Sequence, residues 1–199
     1  FDALVSLRKL YLDNNALENI PNLPLSMLEF LSLNRNNISK INVDAFDALV
    51  NLNTFYFERN SLEEIPPLRL SMVEIMSLNL NKIHRIKNGA FDAMTNLKIL
   101  GLLANDLEEI PKLHISTLEY LDLGRNKIRL IHDDAFDSLH SLKRLDLEHN
   151  DLETIPKLQG LHLDVLLLHN NKIQQQSHDF EDSAVKHLHI DNNNITNLS

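Results

Sequence analysis

The chain has no cysteine, only four glycines, and a deficit of cations, with 19 Lys plus Arg against 28 Asp plus Glu. It also has no apolar run approaching the roughly 20 residues needed to span a bilayer, so no membrane segment is expected here. Without cysteine there is no disulfide framework inside the chain, but the count by itself does not fix the compartment. The scarcity of glycine weighs against phosphate-cradling loops, and neither G-x-S-x-G nor H-E-x-x-H occurs, so no catalytic constellation and no cofactor site is expected. The net charge of −9 argues against a nucleic-acid groove, which needs a cationic stripe, and suits a cationic or mixed-charge protein partner.

What the chain does have is period. FDALVSL at the start returns as FDALVNL, FDAMTNL and FDSLHSL, placing Phe1, Phe46, Phe91 and Phe136 at 45-residue intervals. Inside that period the pattern LxxLxLxxNxL begins at Leu7, Leu28, Leu52, Val73, Leu97, Leu118, Leu142, Leu163 and Val185, in steps that alternate 21 and 24 until a final 22. Nine units of this kind form one elongated domain over 1–199, burying their apolar residues as a continuous column between neighbours. The array begins in mid-phrase with no polar cap on either side, which leads to the expectation that it is the interior of a longer protein.

Within each unit the period of two, as at Leu10 and Leu12, describes a short strand with leucines inward, giving a parallel sheet of about nine strands. The asparagine that closes each strand, from Asn15 and Asn36 to Asn193, carries donors and an acceptor on a short arm and is expected to satisfy buried backbone groups of adjacent turns. Behind the strands, even-numbered units read AFDxL, predicting a helical or turn-like segment with Phe46, Phe91 and Phe136 stacked as a column that Phe180 continues. Odd-numbered units read IPxL, with Pro21, Pro66, Pro111 and Pro156 imposing an extended segment without a donor. The expected architecture is therefore an α/β-type solenoid, curved because strands pack more tightly than the segments behind them. The position after each asparagine alternates in sign from Lys82 through Asp106, Lys127 and Asp151 to Lys172, a ladder expected to choose pairing order more than to add stability.

LxxLxLxxNxL together with the alternating IPxL and AFDxL units resembles the extracellular leucine-rich repeat proteins, most nearly the small leucine-rich proteoglycans of the matrix, over the whole chain. That resemblance implies a horseshoe with a concave sheet, secretion, N-linked glycans, no enzymatic activity, and partners such as collagen-like or growth-factor-like matrix proteins or a second copy as homodimer. The proteoglycans follow a short-long-long cycle, whereas this chain alternates short and long. A receptor ectodomain of Toll or Slit type therefore stays open, and so does the repeat module of a pathogen effector. Glycan acceptors occur at Asn37, Asn194 and Asn197.

Reading the outward strand positions as the concave face, Phe30, Tyr56, Ile75, Ile99, Leu103 and Tyr120, with Leu80 beside them, form the expected partner-binding patch, rimmed by Arg35, Arg59, Arg125, Asp122 and Asp146. The C-terminal part of that face carries His149, His169, His187 and His189 near Asp146 and Asp191. Among them His169, His189 and Asp191 are weak candidates for zinc, against the commoner reading of a solvated face.

Overall fold

The computed structural model describes residues 1, 3–20, 22–174 and 184–196; Pro21, Phe180 and Asn197 lie outside them. The nine repeats supply nine three-residue strands to one parallel sheet whose order follows the sequence, from Lys9–Tyr11 and Phe30–Ser32 to Val165–Leu167 and His187–His189. Register is in phase throughout, with Leu31 opposite Phe55, Phe55 opposite Met76, and Met76 opposite Leu100. These central residues point inward and are fully buried, while the residues flanking them face out. The two terminal strands have one neighbour each, and correspondingly Leu188 is 39% exposed although it occupies an inward position.

Each strand is closed by an asparagine that performs the expected service, and the structure shows the direction of it. Asn105 Oδ1 accepts from Ile83 N at 3.1 Å, and its Nδ2 donates to Leu78 O at 3.1 Å in that preceding repeat and to Leu102 O at 3.0 Å in its own. The two bonds to the preceding repeat recur at Asn60, Asn126 and Asn171, so each of these repeats is bonded back onto the one before it. The residue before each asparagine adopts a left-handed conformation, with φ between 51° and 57° at Asn14, Arg35, Arg59, Leu80, Ala104, Arg125, His149, Asn170 and Asn192. Such a conformation costs a non-glycine residue about 1–2 kcal/mol. Two bonds offset it, for the backbone N–H of Ala104 donates to Gly124 O at 2.9 Å while Asn105 Nδ2 holds the turn from within. Scarce glycine is therefore no bar to strained turns in this fold.

Behind the sheet the described residues contain one helix, the 3₁₀ turn Val43–Phe46, capped by Asn42 Oδ1 accepting from Asp44 N. The other two AFD segments are likewise built on i to i−3 bonds, such as Met94 N to Phe91 O and Leu139 N to Phe136 O. Such i to i−3 turns are the usual form of short connecting segments. The expected parallel sheet is present, and the segments behind it are turn-like or extended with almost no helix among the described residues. Two-residue strands pair instead across the back, Glu64–Ile65 with Arg85–Ile86 and Glu109–Ile110 with Leu130–Ile131. Pro66 and Pro111 directly follow two of them, where the missing donor costs nothing.

The stacked phenylalanine column does not form. Phe46, Phe91 and Phe136 are each at most 3% exposed, and the nearest ring to Phe46 is Phe55 of its neighbouring strand, at 5.3 Å. Successive AFD phenylalanines are separated by a whole IPxL repeat, roughly two strand spacings or 9.6 Å, beyond ring contact.

Candidate interaction surface

On the concave face the first outward position runs in register from Phe30 through Thr54, Ile75 and Ile99 to Tyr120 across five adjacent strands. All five side chains are half-buried, packed sideways against one another with one face open. Tyr56 joins them from the second position through an edge-on contact with Phe30 at 5.6 Å, and Tyr11, 62% exposed, extends the aromatic run through Phe30 at 4.8 Å. Leu103 is half-buried in the third position. Leu80 stands apart at a left-handed turn and is 37% exposed. The expected patch is thus brought together except for Leu80, with Tyr11 as an addition.

The third outward position is largely structural. Asp13 Oδ1 accepts from Ser32 Oγ and Asn34 N, Asn34 Oδ1 from Glu58 N, Glu58 Oε1 from Ser77 Oγ, and Asn79 Oδ1 from Leu103 N. Gly101 makes room for this chain of bonds, because a Cβ there would lie 2.7 Å from Asn79 Oδ1.

The anticipated rim divides into two kinds of residue. Arg35, Arg59 and Arg125 are exposed at the left-handed turns along one edge, as a rim requires. Asp146 is not a rim charge, since it is 7% exposed, accepts from Glu148 N at 3.1 Å, and lies 3.7 Å from Arg144. A central strand position with a neighbour on each side accounts for its burial. Burial raises the carboxyls of both Asp122 and Asp146 above the ordinary aspartate range; the charges of Asp146 and Glu148 add to the rise at Asp122, and that of Glu148 adds to the rise at Asp146. Arg144 also lies over the Tyr120 ring at 5.3 Å, so Tyr120, Asp122, Arg144 and Asp146 form a polar floor beside the apolar column.

Charge ladders flank the sheet on both sides. The expected one pairs Asp106 with Lys127 and Asp151 with Lys172, both at 2.6 Å. A second, unanticipated, precedes the first outward position and joins Arg8 with Glu29, Glu74 with Lys98 at 2.8 Å, and Asp164 with Lys186 at 2.6 Å. Its alternating signs are visible in the sequence, one position before the first outward column.

The histidine cluster is real but differently composed. Glu148, His149 and His169 bring one ligand atom each to within 4.8 Å of one another, with Glu148 Oε2 2.7 Å from His169 Nε2. His189 contributes only a tilted ring contact at 6.4 Å, and Asp191 is occupied by Asn192 Nδ2. The glycan acceptors Asn37 and Asn194 are exposed, each with its backbone N–H bonded into the preceding repeat. Among the described residues no helix is long and apolar enough to cross a membrane.

Comparison with known proteins agrees with this architecture. The family description "Leucine rich repeat" matches residues 113–152, and "BspA type Leucine rich repeat region (6 copies)" matches residues 24–116. A search of curated proteins finds no match. Among solved structures, the leucine-rich repeat domain of APL1B superposes with a TM-score of 0.78 at 21% identity, over 94% of this chain and 57% of that one. TLR13 in its complex with ssRNA13 superposes with a TM-score of 0.61 at 24% identity, over 83% of this chain and 29% of that one. This chain thus spans little more than half of the first structure and under a third of the second, and at these identities the likeness concerns the fold. With the phased asparagines, the nine-stranded concave sheet and two matching family descriptions, the chain belongs to the leucine-rich repeat family.

Proposed function

We propose that this chain is a non-enzymatic, extracellular matrix-type scaffold that holds a protein partner on its concave sheet. The observation that carries the reading is the column of Phe30, Ile75, Ile99 and Tyr120, joined by Tyr56 on the strand where Thr54 stands in register, half-exposed over five strands, where a solvated sheet face has no need of it. The partner is cationic or of mixed charge, because the outward positions carry Asp13, Glu58, Asp122, Glu148 and Asp191 against Lys9 and Arg144. The same acids disfavour a nucleic acid in this groove. Secretion is supported by the resemblance to matrix proteins and by two glycan acceptors at exposed positions.

The strict alternation of 21- and 24-residue steps, unlike the proteoglycan cycle, supports a second reading as the ligand-binding ectodomain of a repeat receptor. Both readings use the concave face.

The test compares Ile99→Asp and Tyr56→Ala with Lys40→Asp, an exposed change away from the column, for binding to immobilised collagen and for self-association by sedimentation. Circular dichroism checks the fold. Central truncations of this kind cost more than 1 kcal/mol, so both patch variants lose at least about fivefold in affinity while Lys40→Asp binds unchanged. Equal association by all three overturns the concave-face assignment.

A further inference from the structure

We propose that Glu148, His149 and His169 form a binding site for a transition metal ion of zinc type at the edge of the concave sheet. Two imidazoles and a carboxylate are a ligand set that zinc takes with a fourth position left to water. Topology brings them together, for Glu148 and His169 occupy the same outward position on adjacent strands and His149 is the left-handed residue that follows Glu148. Their ligand atoms already lie within 4.8 Å of one another. Around a tetrahedral ion with bonds of about 2.0–2.1 Å, ligand atoms sit roughly 3.3 Å apart. The widest separation would have to close by about 1.5 Å, a shift within reach of side-chain rotation.

Two further observations separate this cluster from ordinary decoration. His169 Nδ1 is buried and has no hydrogen-bond partner among the described residues, so Glu148 at Nε2 satisfies one ring nitrogen only and the polar cluster is not self-sufficient. The scaffold also does not require these side chains. The corresponding triplets elsewhere read Asn34, Arg35 and Glu58, or Asn79, Leu80 and Leu103, and they support the same turn.

The surrounding charges leave room for a cation. Arg125 Nε approaches Glu148 at Oε1, at 3.7 Å, leaving Oε2 toward His169, while Arg144 is matched by Asp146, whose Oδ1 accepts from Glu148 N. His149 Nε2 contacts Asn170 Nδ2 at 3.2 Å, an exposed bond that a metal ion can displace.

The experiment titrates zinc chloride into the full chain by calorimetry in a buffer that does not chelate, alongside His149→Asn, His169→Asn and His114→Asn. Asparagine already fills the position of His149 in other repeats, at Asn170 and Asn192, and that of His169 at Asn34 and Asn79, so both variants keep the fold, as circular dichroism checks. His114, paired with Asp92 elsewhere on the molecule, controls for adventitious binding to surface imidazoles. One equivalent of zinc binds the parent chain, and either site variant weakens it by more than the roughly 10–100-fold that loss of an outer-shell partner alone brings, while His114→Asn leaves it unchanged. Absence of saturable binding, or equal affinity in both site variants and the parent, overturns the proposal.

Discussion

Replacing Asn105 by alanine tests the account of what holds one repeat to the next. Asn105 is 6% exposed and central to the array. The substitution leaves the Ile83 N–H without its acceptor in a buried setting, at a cost of about 1–3 kcal/mol. It also removes donors to Leu78 O and Leu102 O, but each of those carbonyls keeps a second asparagine donor, Asn81 and Asn126 respectively, so this loss is nearer 1 kcal/mol. Together they destabilise the chain by about 2–4 kcal/mol, measurable by urea unfolding followed by circular dichroism. Because the bonds lost cross a repeat boundary, the transition also broadens and its slope against urea falls as the two halves uncouple. Asn15 supplies the internal control. It is exposed, and its bonds to Leu12 O and Asp13 O stay within its own turn, so Asn15→Ala costs less than about 1 kcal/mol. Equal losses from the two variants would refute the view that these asparagines act between repeats.

Gly101→Ala forces a Cβ against Asn79 Oδ1 and displaces it from Leu103 N; about 1–2 kcal/mol is lost, readable as a lowered thermal midpoint, and Asn79→Ala in the same chain recovers part of it. Asp122 and Asp146 are carboxyls whose folded-state pKa lies above the ordinary 3.8, so the folded chain binds the extra proton and stability falls as pH rises from about that value through the raised ones. Relative to Asp146→Asn, the parent chain therefore loses stability across that window, and the difference cancels the opposite contribution of lowered carboxyls such as Glu74 and Asp164. Expression in a secretory host adds glycan at Asn37 and Asn194, seen as an intact-mass shift reversed by glycosidase; an unshifted mass at both positions counts against a secreted chain.

The parts of the fold that were legible are those in which one side chain has one periodic task. Leu31, Phe55 and Met76 alternate with outward neighbours, and Asn36 through Asn193 recur in phase, so the sheet, its order and the asparagine bonds follow from spacing alone. The left-handed turns were not legible because no residue type announces them. Arg35, Leu80 and Ala104 adopt φ near 55° for reasons set by the bonds around them, which are tertiary. The phenylalanine column was misread because a shared period of 45 residues says nothing about distance when another repeat intervenes. In the candidate surface, Phe30, Ile75, Ile99 and Tyr120 were found from alternation, but burial of Asp146 depends on its neighbouring strands. The metal cluster needed Glu148, which resembles the other structural acids of its column until its 2.7 Å approach to His169 is seen.

The 21- and 24-residue spacings share one concave register, since the asparagine bonds are made at the strand ends while the length difference is taken up behind the sheet. A block of 45 residues is consequently a unit of length as well as of sequence. Duplicating the block that runs from residue 52 to residue 96 would insert two strands, moving Tyr120 away from Phe30 by about 9.6 Å along the groove while leaving every local bond repeated. The reach of the concave face can thus be set in discrete steps by gene duplication, independently of the side chains that give each step its chemistry.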